Sequence, residues 1–330
     1  MSYQGTGVWV VAEGRKGVLL PSAFELVTAA KALAGQRGEG VTVMVVGAGA
    51  DAAEALSVCG VAKAVVLSGL PELVDDAVAA ALASAAKAAK PRTILLPADV
   101  FGRSVAPRLA VLLGSGLASD ATALELDAEK RLVVRRAGFG GNVTIKVLVK
   151  SPAGPELATV RPLAYPRAGT NGSKGAVETA AADVAAAGGK TAFVSFAPDT
   201  SGEIDIGAAD KIVSGGRGLG NPEGFAIVRE LAHALGAAVG ASRAAVDSGW
   251  IPYKHQVGIT GRSVRPKLYI ALGISGQIQH MGGMKSSDVI VAVNSDPDCP
   301  MMKAANYAVQ GDLYKVVPAL IAEIKKARGA

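Results

Sequence analysis

Four glycines surround one arginine in Gly215-Gly216-Arg217-Gly218-Leu219-Gly220, directly after the apolar run KIVS (211–214). The run AAVGA (237–241) is followed by Ser242 and Arg243, and KLYIALG (267–273) by Ser275-Gly276-Gln277-Ile278-Gln279-His280. VIVAVN (289–294) ends in Asn294, and YAVQ (307–310) leads to Asp312. Between the second and third runs, QVGITGR (256–262) adds Thr260 and the glycines Gly258 and Gly261. Glycines let a backbone approach a ligand closely. Arginines suit phosphate or a developing negative charge, and a helix starting near Gly276 offers free amides to an anion. Together these groups suit an extended, planar, phosphate-bearing ligand, and a dinucleotide fits best.

Each piece has an ordinary reading: a glycine loop as a turn, Arg243 as a helix cap, His280 as a packed polar residue. Their conjunction after all five apolar runs selects the ligand. His233 falls on the polar side of its helix, and the role of His255 stays open. Hydrolytic chemistry fares poorly. Neither Ser242 nor Ser275 lies in G-x-S-x-G, so no catalytic residue is assigned. The two cysteines, Cys59 and Cys299, form no CxxC or Cys/His cluster, so neither a zinc site nor a disulfide framework is expected.

Such residues converge only if the apolar runs are parallel strands, because open α/β sheets bind ligands at their carboxyl ends. Helices are predicted between most of the runs: one capped by Asn221, with Pro222 first, ending before Gly236; one after Ser275-Gly276; and one from Asp312 onward. The second half is therefore read as a doubly wound parallel sheet. The first half alternates similarly: strands VWVVAE (8–13), VTVMVVG (41–47), AVVLSG (64–69) and TILLP (93–97), with helices between. Ser22…Glu25 and Asp51…Glu54 read as capping boxes; the first helix should stop at Gly35, and a third should run from Pro71 to about Ala89. LVVRRAG, NVTIKVLVK and ELATVRPLA, from about Leu132, read as an antiparallel meander. Gly47-Ala-Gly49-Ala-Asp-Ala52 matches G-x-G-x-x-A, but Leu67-Ser68-Gly69 stands where the fingerprint wants an acid, so a tight turn is preferred. Residues 165–207, rich in glycine and alanine, suit a connector in which AFVSF (192–196) is strand-like. The expected domains are 1–197 and 198–330.

Composition agrees. At 330 residues the chain has about twice the usual domain length. It is 50% hydrophobic and 19% charged. Its mean hydropathy is +0.34. Such a chain is not disordered throughout. The net charge of +6 is spread over both halves, so there is no clustered basic face and no nucleic-acid partner is expected. MSYQGTGVWVVAEG lacks the features of a signal peptide, and no apolar run reaches the ~20 residues of a membrane helix. A cytoplasmic, non-membrane protein is the expectation.

The ordered series VSGGRGLG, ASRAAVDSGW, QVGITGR, LYIALGISGQIQHMGGMK, VAVNSDPDCPMM and GDLYKVVP resembles the C-terminal FAD domain of the electron transfer flavoprotein alpha subunit, from about residue 211 to 327. SRAAVD combined with GISGxIQHxxGM is its most specific part. PADVFGRSVAPRLAVLLG and the GFGGN turn resemble the family's N-terminal domain more loosely. The resemblance implies a heterodimer with a beta subunit that carries AMP, FAD held mainly by the alpha C-terminal domain, and electron shuttling without substrate catalysis of its own. Donors would be flavin dehydrogenases, such as the acyl-CoA dehydrogenases of fatty acid β-oxidation; the acceptor would be a membrane quinone oxidoreductase. Carried over, the FAD contacts are Arg217, Ser242, Arg243, Val257, Gly258, Ile259, Thr260, Ser275, Gly276, Gln277, Ile278, Gln279, His280, Asn294, Asp312 and Leu313. The family usually has Gln at position 259; Ile259 loses that side-chain bond and can keep the backbone contact. By resemblance Thr260 would donate to the flavin's central nitrogen, His280 would lie near the pyrimidine end, and Asn294 and Asp312 would hold the adenosine. Two alternatives are an electron-bifurcating flavoprotein with a second FAD on the beta subunit, and a non-redox nucleotide-binding module without flavin or a stable beta partner.

Overall fold

Val-rich runs form the central strands of two sheets because parallel strands are covered on both faces and must be apolar throughout. The computed structural model describes residues 3–70, 74–138, 143–187, 191–195, 197 and 202–327. The predicted helix start at Pro71, most of the GFGGN turn and Phe196 of AFVSF lie outside them; residues 191–195 form no strand. The chain divides into two compact units, Met1–Phe196 and Ala197–Ala330.

The first unit runs β1 (Val8–Arg15), β2 (Val18–Leu19), α1 (Ser22–Arg37), β3 (Val41–Val46), α2 (Ala50–Ser57), β4 (Lys63–Ser68), α3 (Asp75–Ala89), β5 (Thr93–Pro97), α4 (Val100–Leu113), β6 (Leu117–Leu126), β7 (Leu132–Gly138), β8 (Val143–Leu148), β9 (Glu156–Val160) and β10 (Ala176–Ala181). Its sheet has the order β10-β4-β3-β1-β5-β9-β6-β7-β8, with β2 beside β1. From β10 to β6 the pairings are parallel; β6-β7 and β7-β8 are antiparallel. Helices α1 and α2 cover one face, α3 and α4 the other.

Four expectations need correction here. The meander is β6-β7-β8, whereas ELATV is β9, fully buried and parallel to both β5 and β6. Neither capping box forms: Pro21 precedes α1 and Gly49 precedes α2, each without a side-chain cap. Glu25 instead accepts the backbone N–H of Leu163 at 2.6 Å, and Glu54 pairs with Lys174 at 2.7 Å. Helix α1 passes through Gly35 to end at Gly38, whose φ of 72° terminates it in the left-handed region. A helical glycine costs only about 1 kcal/mol, which the buried Ala34 and Arg37 on either side of it offset. Finally, the expected connector contains β10, an edge strand on β4 whose mostly exposed residues hide its pairing.

The second unit consists of β11 (Lys211–Gly215), α5 (Phe225–Leu235), β12 (Ala238–Ala241), α6 (Arg243–Asp247), β13 (Leu268–Leu272), α7 (Ile278–Met284), β14 (Val289–Asn294), α8 (Pro300–Ala304), β15 (Tyr307–Gln310) and α9 (Leu313–Ala327). Its five strands are all parallel, in the order β12-β11-β13-β14-β15. Asn221 caps a 3-10 turn over Pro222–Gly224, accepting the Gly224 N–H at 2.9 Å, and this turn feeds α5. Alternate residues of the strands face two cores. Val213, Ile270 and Val293 pack under α5 and α9, while Ile212, Tyr269 and Ala292 face the side of α7 and α8.

Candidate functional site

The chain leaves β11 toward β12 on one side and returns to β13 on the other, so the carboxyl ends of β11 and β13 flank the switch point of the second sheet. A cleft of about 770 Å³ opens there. Its floor is two glycine turns pressed together. Gly218 donates its N–H to the Gly273 carbonyl at 3.0 Å, and Gly216 donates to Leu272 at 2.9 Å. A Cβ on Gly218 would lie 2.7 Å from the Gly273 Cα, and one on Gly216 would lie 2.3 Å from the Gly273 carbonyl oxygen.

Of the predicted residues, Arg217, Ser242, Arg243, Val257, Gly258, Thr260, Ser275, Gln277, Gln279, His280 and Asn294 line this cleft. The other five do not. Ile259 points its side chain outward and donates its N–H to the Gln279 carbonyl at 2.9 Å. Gly276, at φ +84°, sits where a Cβ would meet the Met301 nitrogen at 2.3 Å, so its role is packing against α8. Ile278 is half exposed at the start of α7, Asp312 accepts the Tyr314 N–H at 2.9 Å, and Leu313 is buried in the core below α9. The structure adds Gly218, Ala244, Asp247, Gly273, Ile274, Asp296 and Cys299 to the lining. Gly218 and Gly273 were visible in the glycine run and at the end of KLYIALG; Ala244 and Asp247 come from α6, and Ile274, Asp296 and Cys299 from loops whose approach no local pattern encodes.

The excursion carrying Thr260 is braced at both ends. His255 is buried, with Nδ1 2.8 Å from the Val239 carbonyl and Nε2 3.2 Å from Glu203, which settles its open role as a structural anchor. Glu203 also pairs with Arg229 and Lys254, and the Lys254 hydrogen bond leads in drawing its carboxyl down to about 2 against a burial cost. The Gln256 side-chain amide donates to the Thr260 hydroxyl oxygen at 3.0 Å, and the Tyr253 hydroxyl donates to the Thr260 carbonyl at 2.6 Å. With its oxygen already accepting, the Thr260 hydroxyl is free to donate into the cleft. Sequence reasoning missed Gln256, Tyr253 and also Tyr314, whose hydroxyl donates to the Leu219 carbonyl at 2.6 Å and steadies the Arg217 turn.

His280 is 6% exposed. Its Nε2 lies 2.9 Å from the Tyr269 hydroxyl, which burial keeps firmly protonated. Burial likewise drives the imidazole pKa down to about 4, against an opposing pull from the Val257 carbonyl. With the Tyr269 hydroxyl donating to Nε2, the neutral ring carries its proton on Nδ1, which lies near the Val257 carbonyl but has no partner of hydrogen-bonding geometry among the described residues. An orphaned buried N–H facing a cleft calls for a ligand acceptor. At its rim the cleft carries Arg243, ion-paired with Asp247 at 3.1 Å, and the Arg217 guanidinium.

The depressed pKa has a thermodynamic consequence. Unfolded, the ring titrates near 6.5; folded, near 4. Between those values the unfolded chain binds more protons, so stability falls as pH drops from about 6.5 to about 4, by on the order of 3 kcal/mol. Urea unfolding of the flavin-free chain is expected to show His280→Asn losing that much less than the wild type between pH 7 and 4. Equal losses in both would contradict a buried neutral imidazole.

Glycine approach, two guanidinium groups, an aimed hydroxyl and an orphaned imidazole N–H fit a dinucleotide with a polar heterocycle. Comparisons with known proteins agree. Residues 205–285 match the family model described as the electron transfer flavoprotein FAD-binding domain, and residues 8–185 that of the electron transfer flavoprotein domain. The electron transfer flavoprotein subunit alpha of Thermoanaerobacterium thermosaccharolyticum is 43% identical over 327 residues, covering 97% of this chain and 98% of that protein. That of Paracoccus denitrificans is 43% identical over 301 residues, covering 89% and 94%. The acryloyl-CoA reductase electron transfer subunit beta of Anaerotignum propionicum is 35% identical over 356 residues, covering 98% and 96%. Among the described residues, no helix is long and apolar enough to cross a membrane, and no cluster of three or more His, Cys, Asp or Glu could hold a metal ion.

Proposed function

The chain belongs to the electron transfer flavoprotein alpha-subunit family and carries its FAD-binding domain, and from that premise we propose how it works. It pairs with a beta subunit carrying AMP, the contact made by residues 1–197, while residues 198–330 hold one FAD across the switch point of the second sheet. It takes electrons from flavin dehydrogenases, those acting on acyl-CoA among them, and delivers them to a membrane quinone oxidoreductase. The observation that carries this reading is the cleft itself, where a buried, partnerless His280 N–H and a floor of interlocked glycines await a flat, hydrogen-bonding ligand.

Bound FAD supplies the electron-transfer chemistry. The chain's own work is to hold it and set its electrostatics. Arg217 and Arg243 place positive charge beside the cleft. A unit charge about 4 Å away is worth ~4 kcal/mol at an effective dielectric near 20. The Arg243 side chain is 63% exposed and paired with Asp247. Solvent screening therefore makes its share smaller. Thr260, oriented by Gln256, donates one hydrogen bond, and His280, oriented by Tyr269, donates another without carrying charge near neutral pH. Asn294 is pre-oriented, its amide donating to the Ile274 carbonyl at 3.1 Å and its oxygen accepting the Asp296 N–H at 3.1 Å.

Arg243→Ala is expected to leave FAD bound and to lower its first reduction potential by about 40–90 mV, the equivalent of about 1–2 kcal/mol. A redox titration with an unmoved potential would remove Arg243 from the electrostatic role. The whole reading is tested by visible absorption of the chain co-expressed with its partner, with flavin and AMP quantified per heterodimer. One FAD and one AMP are expected. Two FADs would replace it with the bifurcating alternative, and no flavin in an intact heterodimer would overturn it.

A further inference from the structure

A second cleft, of about 680 Å³, lies within the first unit and takes no part in the function proposed above. It opens at the carboxyl ends of β1, β3 and β5. Strand β1 has β3 on one side and β5 on the other, so the winding of this sheet reverses there, as it does at ligand sites of open parallel sheets. The turn after β3 is the G-x-G-x-x-A segment left without a use in the sequence. Its Gly47 lines the cleft at φ +72°, and Gly14 faces it so closely that a Cβ would lie 2.4 Å from the Ala48 Cβ.

The deepest polar group is Glu13, 1% exposed. Its Oε1 accepts from Arg15 Nε at 2.7 Å, but no donor among the described residues reaches the buried Oε2. The neighbouring Asp99 is a second carboxyl: it can take up a Glu13 proton but offers no donor when both are ionised. Burial lifts the Glu13 carboxyl to about 7, with Arg15 opposing and Asp99 adding to the rise, so near neutrality it both donates and accepts. A buried carboxyl oxygen without a donor is costly and rare in a finished interior. Because Arg15 already neutralises Glu13, the missing partner is a neutral donor and not a cation. Beside it stands an apolar wall: Phe101 is buried, whereas Phe193 is 45% and Val100 81% exposed. Arg15 and Lys16 lie at the rim.

We infer that this cleft binds the adenine ring of a nucleoside or nucleotide, with the amino edge on Glu13, the ring face on Phe101 and Phe193, and any phosphate at Arg15 and Lys16. An adenine edge places an amino donor beside a ring-nitrogen acceptor, the complement of a carboxyl that can accept and donate at once. The aromatic wall provides the stacking surface. The inference stands apart from the electron-transfer reading, because none of these residues belongs to the second unit.

The test is equilibrium dialysis of the full chain with its co-expressed partner against labelled adenosine, AMP and uridine monophosphate, comparing wild type with Val100→Glu and Glu13→Leu. Val100 is too exposed for its replacement to unfold the unit, and any nucleotide on the partner is common to all samples. Wild type is expected to bind one adenine ligand more than Val100→Glu, or to bind it at least tenfold more tightly, with flavin content unchanged. Glu13→Leu should lose the same binding. Preference for AMP over adenosine would assign the rim cations to a phosphate; equal binding would assign recognition to the base. Adenine binding that is identical in wild type and Val100→Glu would overturn the inference, as would uridine monophosphate binding as well as AMP.

Discussion

Gly218→Val is expected to release the flavin, weakening FAD at least a hundredfold, the equivalent of about 3 kcal/mol. The floor of the cleft depends on two turns in reciprocal contact. A Cβ on Gly218 falls 2.7 Å from the Gly273 Cα, and a Cβ on Gly273, itself at φ +60°, falls 2.8 Å from the Gly218 Cα. All the obstructing atoms are backbone, so no side chain can rotate away. The turns must part, which breaks the Gly218–Gly273 hydrogen bond and moves Arg217 and Ile274, both lining residues. Gly220→Ala is the control. Gly220 has φ +81° with nothing within 4 Å of its Cβ position. Its replacement costs only local backbone strain of about 1 kcal/mol. Flavin-to-protein ratios after gel filtration, followed by titration with free FAD, separate the two. Stoichiometric flavin in Gly218→Val would refute the interlocked floor.

Glu156→Leu is expected to destabilise the first unit by about 3–5 kcal/mol. Arg37 has a fully buried guanidinium that meets Glu156 Oε2 at 2.7 Å, the Thr93 hydroxyl at 2.7 Å and the Lys130 carbonyl at 2.8 Å. Glu156 also accepts the Thr93 hydroxyl at 2.8 Å and the Leu132 N–H at 2.7 Å. Removing the carboxylate leaves the buried Arg37 cation without its counter-charge and the buried Leu132 amide without its acceptor, and both penalties add. Arg37→Leu together with Glu156→Leu should recover a large part of the loss, because burying the pair is itself costly. Urea midpoints of the three variants decide it; a loss under about 1 kcal/mol in Glu156→Leu would show that water reaches the site.

The same Glu156 explains why part of the fold was hard to read. A charged residue opening ELATV suggests a solvated strand, and its partner Arg37 lies 119 residues away. Only that long-range pairing makes the segment an internal strand. Ser22…Glu25 misled for the same reason, since the carboxylate is recruited by Leu163, 138 residues on. By contrast, the strands of the second unit were legible because each is an apolar run closed by glycine or a polar residue, and parallel burial leaves little choice of pattern. The residue types gathered at its strand ends were legible too. Which of them turn inward was not, since Ile259, Gly276 and Ile278 alternate with lining neighbours along one loop or turn.

The strand order of the second unit also dictates when the cofactor can arrive. Strand β11 is synthesised before the other four but lies inside the sheet, between β12 and β13. The lining of the cleft extends from Arg217 to Cys299, and the Arg217 turn is steadied from α9 by Tyr314. A nascent chain therefore has no complete flavin site until the residues from Arg217 through Tyr314 have left the ribosome. At synthesis rates of roughly 5–20 residues per second, the stretch from Arg217 to Tyr314 takes on the order of 10 seconds to emerge. Until β13 emerges, β11 lacks one of its two parallel neighbours, and its Val213 and Ile212 remain incompletely covered. Flavin can meet its full set of lining residues only after the strands of this sheet have come together.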